Sequence, residues 1–431
     1  MKIFKYPTLK ETLYYEEMKN GLKVYLLPKV GFSKTYGLFS TRFGSIDTTF
    51  VPLHESEMIK VPDGIAHFLE HKMFEMENGE ASDAFARLGA NTNAFTSSSR
   101  TAYLFSTTSH EKECIELLLD FVQDIYLTDE NVEKEKGIIN QEIRMYDDDP
   151  DWRCYFGSIQ NLYQHHPVKI DIAGTVETVA SIDKDTLEKC YHTFYHPSNM
   201  MLFVVGNIDP QQTMQLIRGN QENKHFEKEN PIQREVVNEP LEVAQNDATL
   251  YMDVTMPKII VSLKINDILQ SPQERLKREL GMNLLLDIFF AKSSSLYEKW
   301  LTDELINDSF SAQFTQERDY CFLQIGGDTL YPDKLKDKIY DFVRHIHDYS
   351  ISKDDFERLK KKTMGILISV FNSPEAIANM FSRYYFEGVM IFELIDCLNG
   401  LTLDDLNQLK DLFDIQYISS FTVLPQNQSQ K

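Results

Sequence analysis

The chain has 431 residues, with 44 Lys and Arg against 66 Asp and Glu, a net charge of −22. At roughly 100–200 residues per domain this length predicts two or three domains, and 42% apolar residues let each bury a core. The acidic balance excludes nucleic acid and an anionic membrane surface as principal partners, and no apolar run approaches the about 18 residues that a membrane span needs.

Residues 1–10 show no apolar core of a signal peptide. The five cysteines, Cys114, Cys154, Cys190, Cys321 and Cys397, are odd in number and form no C-x-x-C pair. They read as free thiols in a reducing compartment, so a cytoplasmic location is expected.

The chain opens with strand patterns at Leu22–Pro28 and Thr35–Phe43, rich in β-branched and aromatic residues. A helix is predicted from near Pro62 through Met73, and a shorter one over Glu80–Leu88. Strands return at Asn91–Thr96 and Thr101–Thr107, with Ser97–Arg100 as the turn. Lys112–Gln123 has helical periodicity, with Leu117, Leu118, Phe121 and Val122 on one side. Asn131–Tyr146 reads as a helix that Asp147, Asp148, Asp149 and Pro150 stop. Leu202–Gly206 is a short buried strand.

Residues 217–246 are polar, charged and poor in aromatics, and read as an exposed interdomain linker. The pattern then repeats. NAFTSSSRTAYLFSTT is echoed by SAQFTQERDYCFLQIG, and each leads to a helix containing Asp-Phe-Val, at 120–122 and 341–343. Each continues into a charged helix, at Glu133–Ile139 and Glu357–Ile366. A period this long implies a duplicated domain, not a solenoid. The expected division is a catalytic α+β domain over 1–216, the linker over 217–246, and a second domain without metal ligands over 247–431.

His67-Phe68-Leu69-Glu70-His71 is an H-x-x-E-H. On a helix, positions i and i+4 lie about 40° apart, so His67 and His71 can grip one cation. Glu70 lies on the same side, placed to take a proton from water whose pKa zinc lowers towards about 7. The plain alternative is two unrelated histidines on an amphipathic helix. Zinc needs a third protein ligand and one open position. Glu142, on the helix EKEKGIINQEIRMY, is the best supply. Glu135, two helical turns earlier, shares its face and would support the site or hold a neighbouring base. Taken without the histidines, both glutamates would read as a solvated helix face.

These pieces resemble the insulinase/pitrilysin metallopeptidases, which include the mitochondrial processing peptidase. The resemblance rests on Gly64-Ile-Ala-His-Phe-Leu-Glu-His and on the E-x6-E pair Glu135 and Glu142. Gly89-Ala90-x-x-Asn93-Ala94-x-Thr96 and Phe194-Tyr195-His196-Pro197-Ser198-Asn199-Met200 add to it. It is strong over residues 15–210 and diffuse beyond. The wording HFLEHKMFE and QEIRMYDDDPDWR is similar to the bacterial YmfH-type branch.

The resemblance implies one Zn2+ per chain on His67, His71 and Glu142, with Glu70 as general base and Glu135 as the second catalytic glutamate. It implies that Asn93 and Ala94 lie on an edge strand to which an extended peptide adds. It also implies an α+β fold of two homologous domains, each a mainly antiparallel sheet with helices on one face. The family's second-half arginine–tyrosine pair is not matched. Tyr331 is the candidate substrate-binding tyrosine, but Gln324 stands seven residues before it. Arg318 and Tyr320 are too close together, and Arg383 with Tyr384 or Tyr385 fits only loosely.

Members of this family close a chamber from two halves of about this length. The expectation is therefore a zinc endopeptidase for short or extended peptides, working as a dimer. A heterodimer with a paralogue lacking the zinc motif is the first choice and a homodimer the second. The alternative is a non-catalytic core subunit, which would carry degenerate ligands. His165 and His166, His345 and His347, and His192 and His196 read as structural.

Overall fold

A computed structural model describes residues 1–226, 228 and 231–426. The first half builds a seven-stranded sheet. Its order is Lys2–Tyr6, Glu11–Glu17, Lys23–Pro28, Met200–Gly206, Thr35–Thr41, Thr101–Thr107, Asn91–Thr96. All neighbours are antiparallel except Met200–Gly206 beside Lys23–Pro28. The hairpin Asn91–Thr96/Thr101–Thr107 has the predicted bounds, with Thr96 opposite Thr101 and Ala94 opposite Tyr103.

The second half builds a five-stranded sheet in the order Asp247–Met252, Ile418–Pro425, Lys258–Lys264, Cys321–Asp328, Ser311–Gln316. Again the first and last strands in sequence pair in parallel and the rest are antiparallel. Leaving aside the two N-terminal strands, the strand orders are the same. The duplication read from the echoed hairpins is thus present in the topology.

On one face of the first sheet lie helices from its own half. Phe121, Phe74 and Tyr195 surround Tyr103, and Phe85 meets Phe105. The central strands Thr35–Thr41 and Met200–Gly206 are buried along their whole length, so both faces are covered. The second face is closed by the helix Pro374–Phe386, from the far end of the sequence. Phe381 stacks on Phe203 at 4.2 Å, and the Ser382 hydroxyl lies 3.2 Å from that of Ser40. Reciprocally, the helix Pro150–Leu162 covers the second sheet. Asn161 Nδ2 donates to Ser420 O at 2.9 Å, and Gly157 lies so close to the Phe421 ring that a Cβ there would sit 2.4 Å from it.

The compact units are accordingly not contiguous. One is Met1–Ile143, Asp171–Val236 and Ile368–Phe386; the other is Arg144–Ile170, Val237–Leu367 and Glu387–Lys431. These units cross the expected boundaries at 216 and 247, because each takes up one amphipathic helix from the other part of the sequence. Of the stretch 217–246, residues 227, 229 and 230 lie outside the described residues, and the described ones are anchored at several points. Its start lies in the helix Pro210–Glu222. Arg234 then pairs with Asp47 at 2.6 Å, and Glu235 N donates to Thr49 O at 3.0 Å. Glu239 accepts from the backbone N–H groups of Gln164, His165 and His166, each at 2.8 Å, and from Lys264 at 2.7 Å. Its polarity reflects anchoring by charge where apolar packing is lacking. Among the described residues no helix is long and apolar enough to cross a membrane.

Candidate metal centre

The histidine helix is Ile65–Met73, and its start is fixed by a close approach of two glycines. Gly64 caps it at φ 88°, in the left-handed region, and a Cβ there would lie 2.4 Å from Ala173 O. Gly174, at φ 75°, would collide in return with Asp63 O at 2.5 Å. Only glycine fits both demands. Ile65, Ala66, Phe68, Leu69 and Met73 bury the inner face, which leaves His67 and His71 side by side on the other.

The glutamate helix runs over Asp129–Asp148. Thr128 and Asn131 start it by a reciprocal cap, Thr128 N donating to Asn131 Oδ1 at 2.9 Å and Asn131 N to Thr128 Oγ1 at 3.1 Å. Val132, Ile139 and Ile143 are its buried stripe. Glu135 and Glu142 lie beside that stripe and reach the histidines.

The three expected ligands converge, with ligand atoms all within 4.8 Å of one another. Glu142 Oε2 lies 3.7 Å from His67 Nε2 and 3.6 Å from His71 Nε2. Ligand atoms held about 2.0–2.1 Å from a tetrahedral zinc ion stand about 3.4 Å apart, so the cluster fits with a small contraction. Two imidazoles and one carboxylate also leave the fourth position open, as a catalytic site requires.

His71 Nδ1 lies 3.0 Å from Glu135 Oε1. A carboxylate only accepts, so Nδ1 carries the proton and Nε2 is the atom turned to the metal. Glu135 therefore orients His71. His67 Nδ1 is buried with no hydrogen-bond partner. Burial pushes its pKa down to about 4, and the neighbouring His71 adds to this, so His67 is neutral and ready to ligate. Burial also depresses His71, but Glu135, Glu70 and Glu142 outweigh it and raise its pKa. Burial raises the Glu70 carboxyl above its usual range, against the pull of the Thr96 hydroxyl. Glu135 goes down: burial is overcome by its bond to His71 and by Lys72.

Two residues to which sequence reasoning gave no role complete the arrangement. Lys72, next to His71, is wholly buried. Its ammonium pairs with Glu75, lies 3.3 Å from Asn131 O and 4.0 Å from Glu135 Oε2. Asn131 Nδ2 in turn reaches Glu75 at 3.3 Å. This buried cation ties the histidine helix to the first turn of the glutamate helix, and so sets the spacing of the ligands. A lysine reads as a surface residue, and only its place directly after the motif could have raised the question. The second residue is Thr96, whose hydroxyl donates to Glu70 Oε2 at 2.6 Å.

Asn93 and Ala94 lie on the edge strand that ends at Thr96, and Ala94 N–H donates to Asn93 Oδ1 at 2.9 Å. Tyr331 belongs to the other unit, at the N-cap of the helix Pro332–Arg344. It is half-exposed, with the Lys334 ammonium 4.5 Å from its ring centre. Arg383 stacks on Tyr384, and Tyr385 packs on Tyr25, both as structural contacts.

A duplicated α+β fold whose H-x-x-E-H helix faces an E-x6-E helix defines the class of inverted zinc-helix peptidase folds. Residues 57–176 match the sequence pattern of the insulinase family, peptidase M16, and residues 181–363 match that of the M16 inactive domain. The chain is 49% identical over 409 residues to the zinc protease YmfH of Bacillus subtilis, spanning 95% of each. It therefore belongs to the M16 (insulinase) family. Its fold is similar to that of a protein described as an M16-like peptidase from Alicyclobacillus acidocaldarius. The TM-score is 0.92 and the identity 36%, over 96% of this chain and 98% of that one. A Helicobacter pylori protease shares the fold at 20% identity, with a TM-score of 0.83, over 96% of this chain and 99% of that one.

Proposed function

We propose that this chain is a zinc endopeptidase acting on short or extended peptides. The observation that carries the reading is the convergence of His67, His71 and Glu142 with Glu70 one helical position from His71. A zinc ion held by those three groups would polarise a scissile carbonyl and make a neighbouring water acidic. Glu70, in a buried setting that favours proton uptake, takes the proton from water and later delivers it to the leaving amine. Glu135 holds the His71 ring in register through Nδ1. Among the described residues the edge strand Asn91–Thr96 pairs on one side only, with Thr101–Thr107, and it offers its other side to an extended peptide. Main-chain pairing along Asn93 and Ala94 selects an extended chain without demanding a sequence.

In this reading two such chains close a chamber, first as a heterodimer with a zinc-free paralogue and second as a homodimer. The missing arginine–tyrosine pair supports a contribution from another subunit, and Tyr331 remains the candidate from this one. Zinc is bound once per chain, and the five free cysteines, four of them buried, favour a cytoplasmic setting. A non-catalytic subunit would not need Glu70 beside three converging ligands.

The test is hydrolysis of a quenched-fluorescent peptide library by the zinc-loaded chain against its Glu70→Gln variant, with zinc content measured on both. Turnover by the wild type alone is the expected result. Stoichiometric zinc without turnover in either protein moves the search to a partner subunit. A chain with neither zinc nor turnover ends the peptidase reading.

A further inference from the structure

We propose that Thr96 is the positioning residue of the general base: it holds Glu70 through Oε2 and leaves Oε1 to receive the proton. The proposal deepens the peptidase reading and rests on it. The hydroxyl-to-carboxylate distance is 2.6 Å, within the short range of charge-assisted bonds. Among the described residues no other side chain is hydrogen-bonded to Glu70. Glu70 is itself buried, so its orientation depends on that one bond and on packing.

A hydroxyl has one proton to give. Thr101 Oγ1 lies 3.4 Å from Thr96 Oγ1, but Thr101 donates its own proton to Phe43 O at 2.8 Å. Thr101 is also completely buried, so its hydroxyl is fixed. Thr101 therefore has no proton left for Thr96, and the Thr96 proton goes to the acceptor-only carboxylate of Glu70, which is closer at 2.6 Å than Thr101 at 3.4 Å. Thr96 is the last residue of the edge strand that carries Asn93 and Ala94. A peptide laid along that strand and the base that acts on it would then be registered by one rigid element.

The second sheet supplies an internal control. Gln316 ends the corresponding edge strand, opposite Cys321, as Thr96 ends its own opposite Thr101. Gln316 Nε2 reaches Arg275 O at 2.9 Å, a backbone carbonyl on the earlier helix Pro272–Phe290. In that unit the contact tethers strand to helix and nothing more. In the first unit the same position addresses a side-chain carboxylate, which strand-to-helix packing does not require.

The experiment compares zinc-loaded wild type with T96V, T96S and E70Q. Valine keeps the shape and removes the hydroxyl, whereas serine keeps the hydroxyl. For T96V the expected result is a kcat about tenfold or more below wild type, with KM and zinc affinity within about twofold. T96S is expected to recover most of kcat. T96V at wild-type kcat, T96S as slow as T96V, or zinc affinity falling in step with kcat each overturns the proposal. A drop in Tm shared by T96V and T96S also overturns it, by making the role structural. E70Q that retains activity removes Glu70 as the base and this inference with it, whereas inactive E70Q with unaffected T96V ends only this inference, and a chain with neither zinc nor turnover ends the peptidase reading. If the chain alone turns nothing over, the cobalt-substituted protein decides. The pH midpoint of its visible absorption is expected to shift in T96V and return in T96S, and an unmoved midpoint overturns the proposal.

Discussion

Apart from the two N-terminal strands of the first, the two sheets share one strand order, with the same parallel pair and the same edge hairpin, yet among the described residues only one unit carries a cluster that could hold a metal ion. In the first unit the hairpin follows a short helix, Ile65–Met73, whose outer face presents two imidazoles and a carboxylate. In the second it follows the helix Pro272–Phe290, nineteen residues long, whose buried positions include Leu276, Leu280, Leu284 and Leu285. The helix after the next is Asp129–Asp148 in one, with Glu135 and Glu142 turned to the histidines. In the other it is Lys353–Val370, which carries no such pair. The scaffold is therefore indifferent to the chemistry. Five side chains on two helices, and the lysine between them, make the difference.

Making the first unit more like the second is the sharpest way to break this comparison. The double variant H67F/H71F is expected to remain folded by near-ultraviolet circular dichroism and to lose zinc altogether, measured as metal content after gel filtration. Stoichiometric zinc in that variant would remove the histidines from the ligand set. The next effect is on stability. K72A leaves Glu75 and Glu135 without their buried cation and should cost about 3–5 kcal/mol in urea unfolding. K72M, which fills the volume, should cost less, and equal losses would mean that the lost charge alone matters. E135Q follows, with a zinc affinity about 10–100-fold weaker by chelator competition and little change in Tm. An unchanged affinity would mean that His71 needs no orienting partner.

The smallest effect concerns Glu239. Burial raises its pKa, but Lys264 and three backbone N–H groups prevail and hold it below the ordinary carboxylate range. Its contribution is present above the unfolded-chain pKa and is lost as pH falls through the folded one. E239Q should therefore cost about 1–3 kcal/mol at neutral pH and progressively less below about pH 4. A deficit that persists at acid pH would assign the loss to geometry instead of charge.

Much of this was legible from residues alone, for identifiable reasons. The hairpin Asn91–Thr96/Thr101–Thr107 follows from β-branched and aromatic runs around a polar turn. The metal cluster follows from helical periodicity, because i, i+4 and i, i+7 spacings leave few faces to choose from. What escaped the sequence was tertiary choice. Pro150–Leu162 and Pro374–Phe386 are each amphipathic helices begun at a proline, and nothing in either pattern says which sheet it will cover. Lys72 and Thr96 escaped because a lysine ordinarily stays solvated and a threonine ordinarily serves a strand. The anchored 231–246 stretch escaped because its charges, which read as solvation, are paired with Asp47 and Lys264.

The exchanged helices have a consequence for how the protein is made. On the ribosome, Met200–Gly206 emerges long before Pro374–Phe386. At about 5–20 residues per second, the face bearing Tyr25, Leu38 and Phe203 waits roughly ten to forty seconds for its cover. During synthesis the first half is a sheet with one greasy side, a natural client for chaperones. Cutting the gene between the two halves yields two fragments that each lack the lid for their own core.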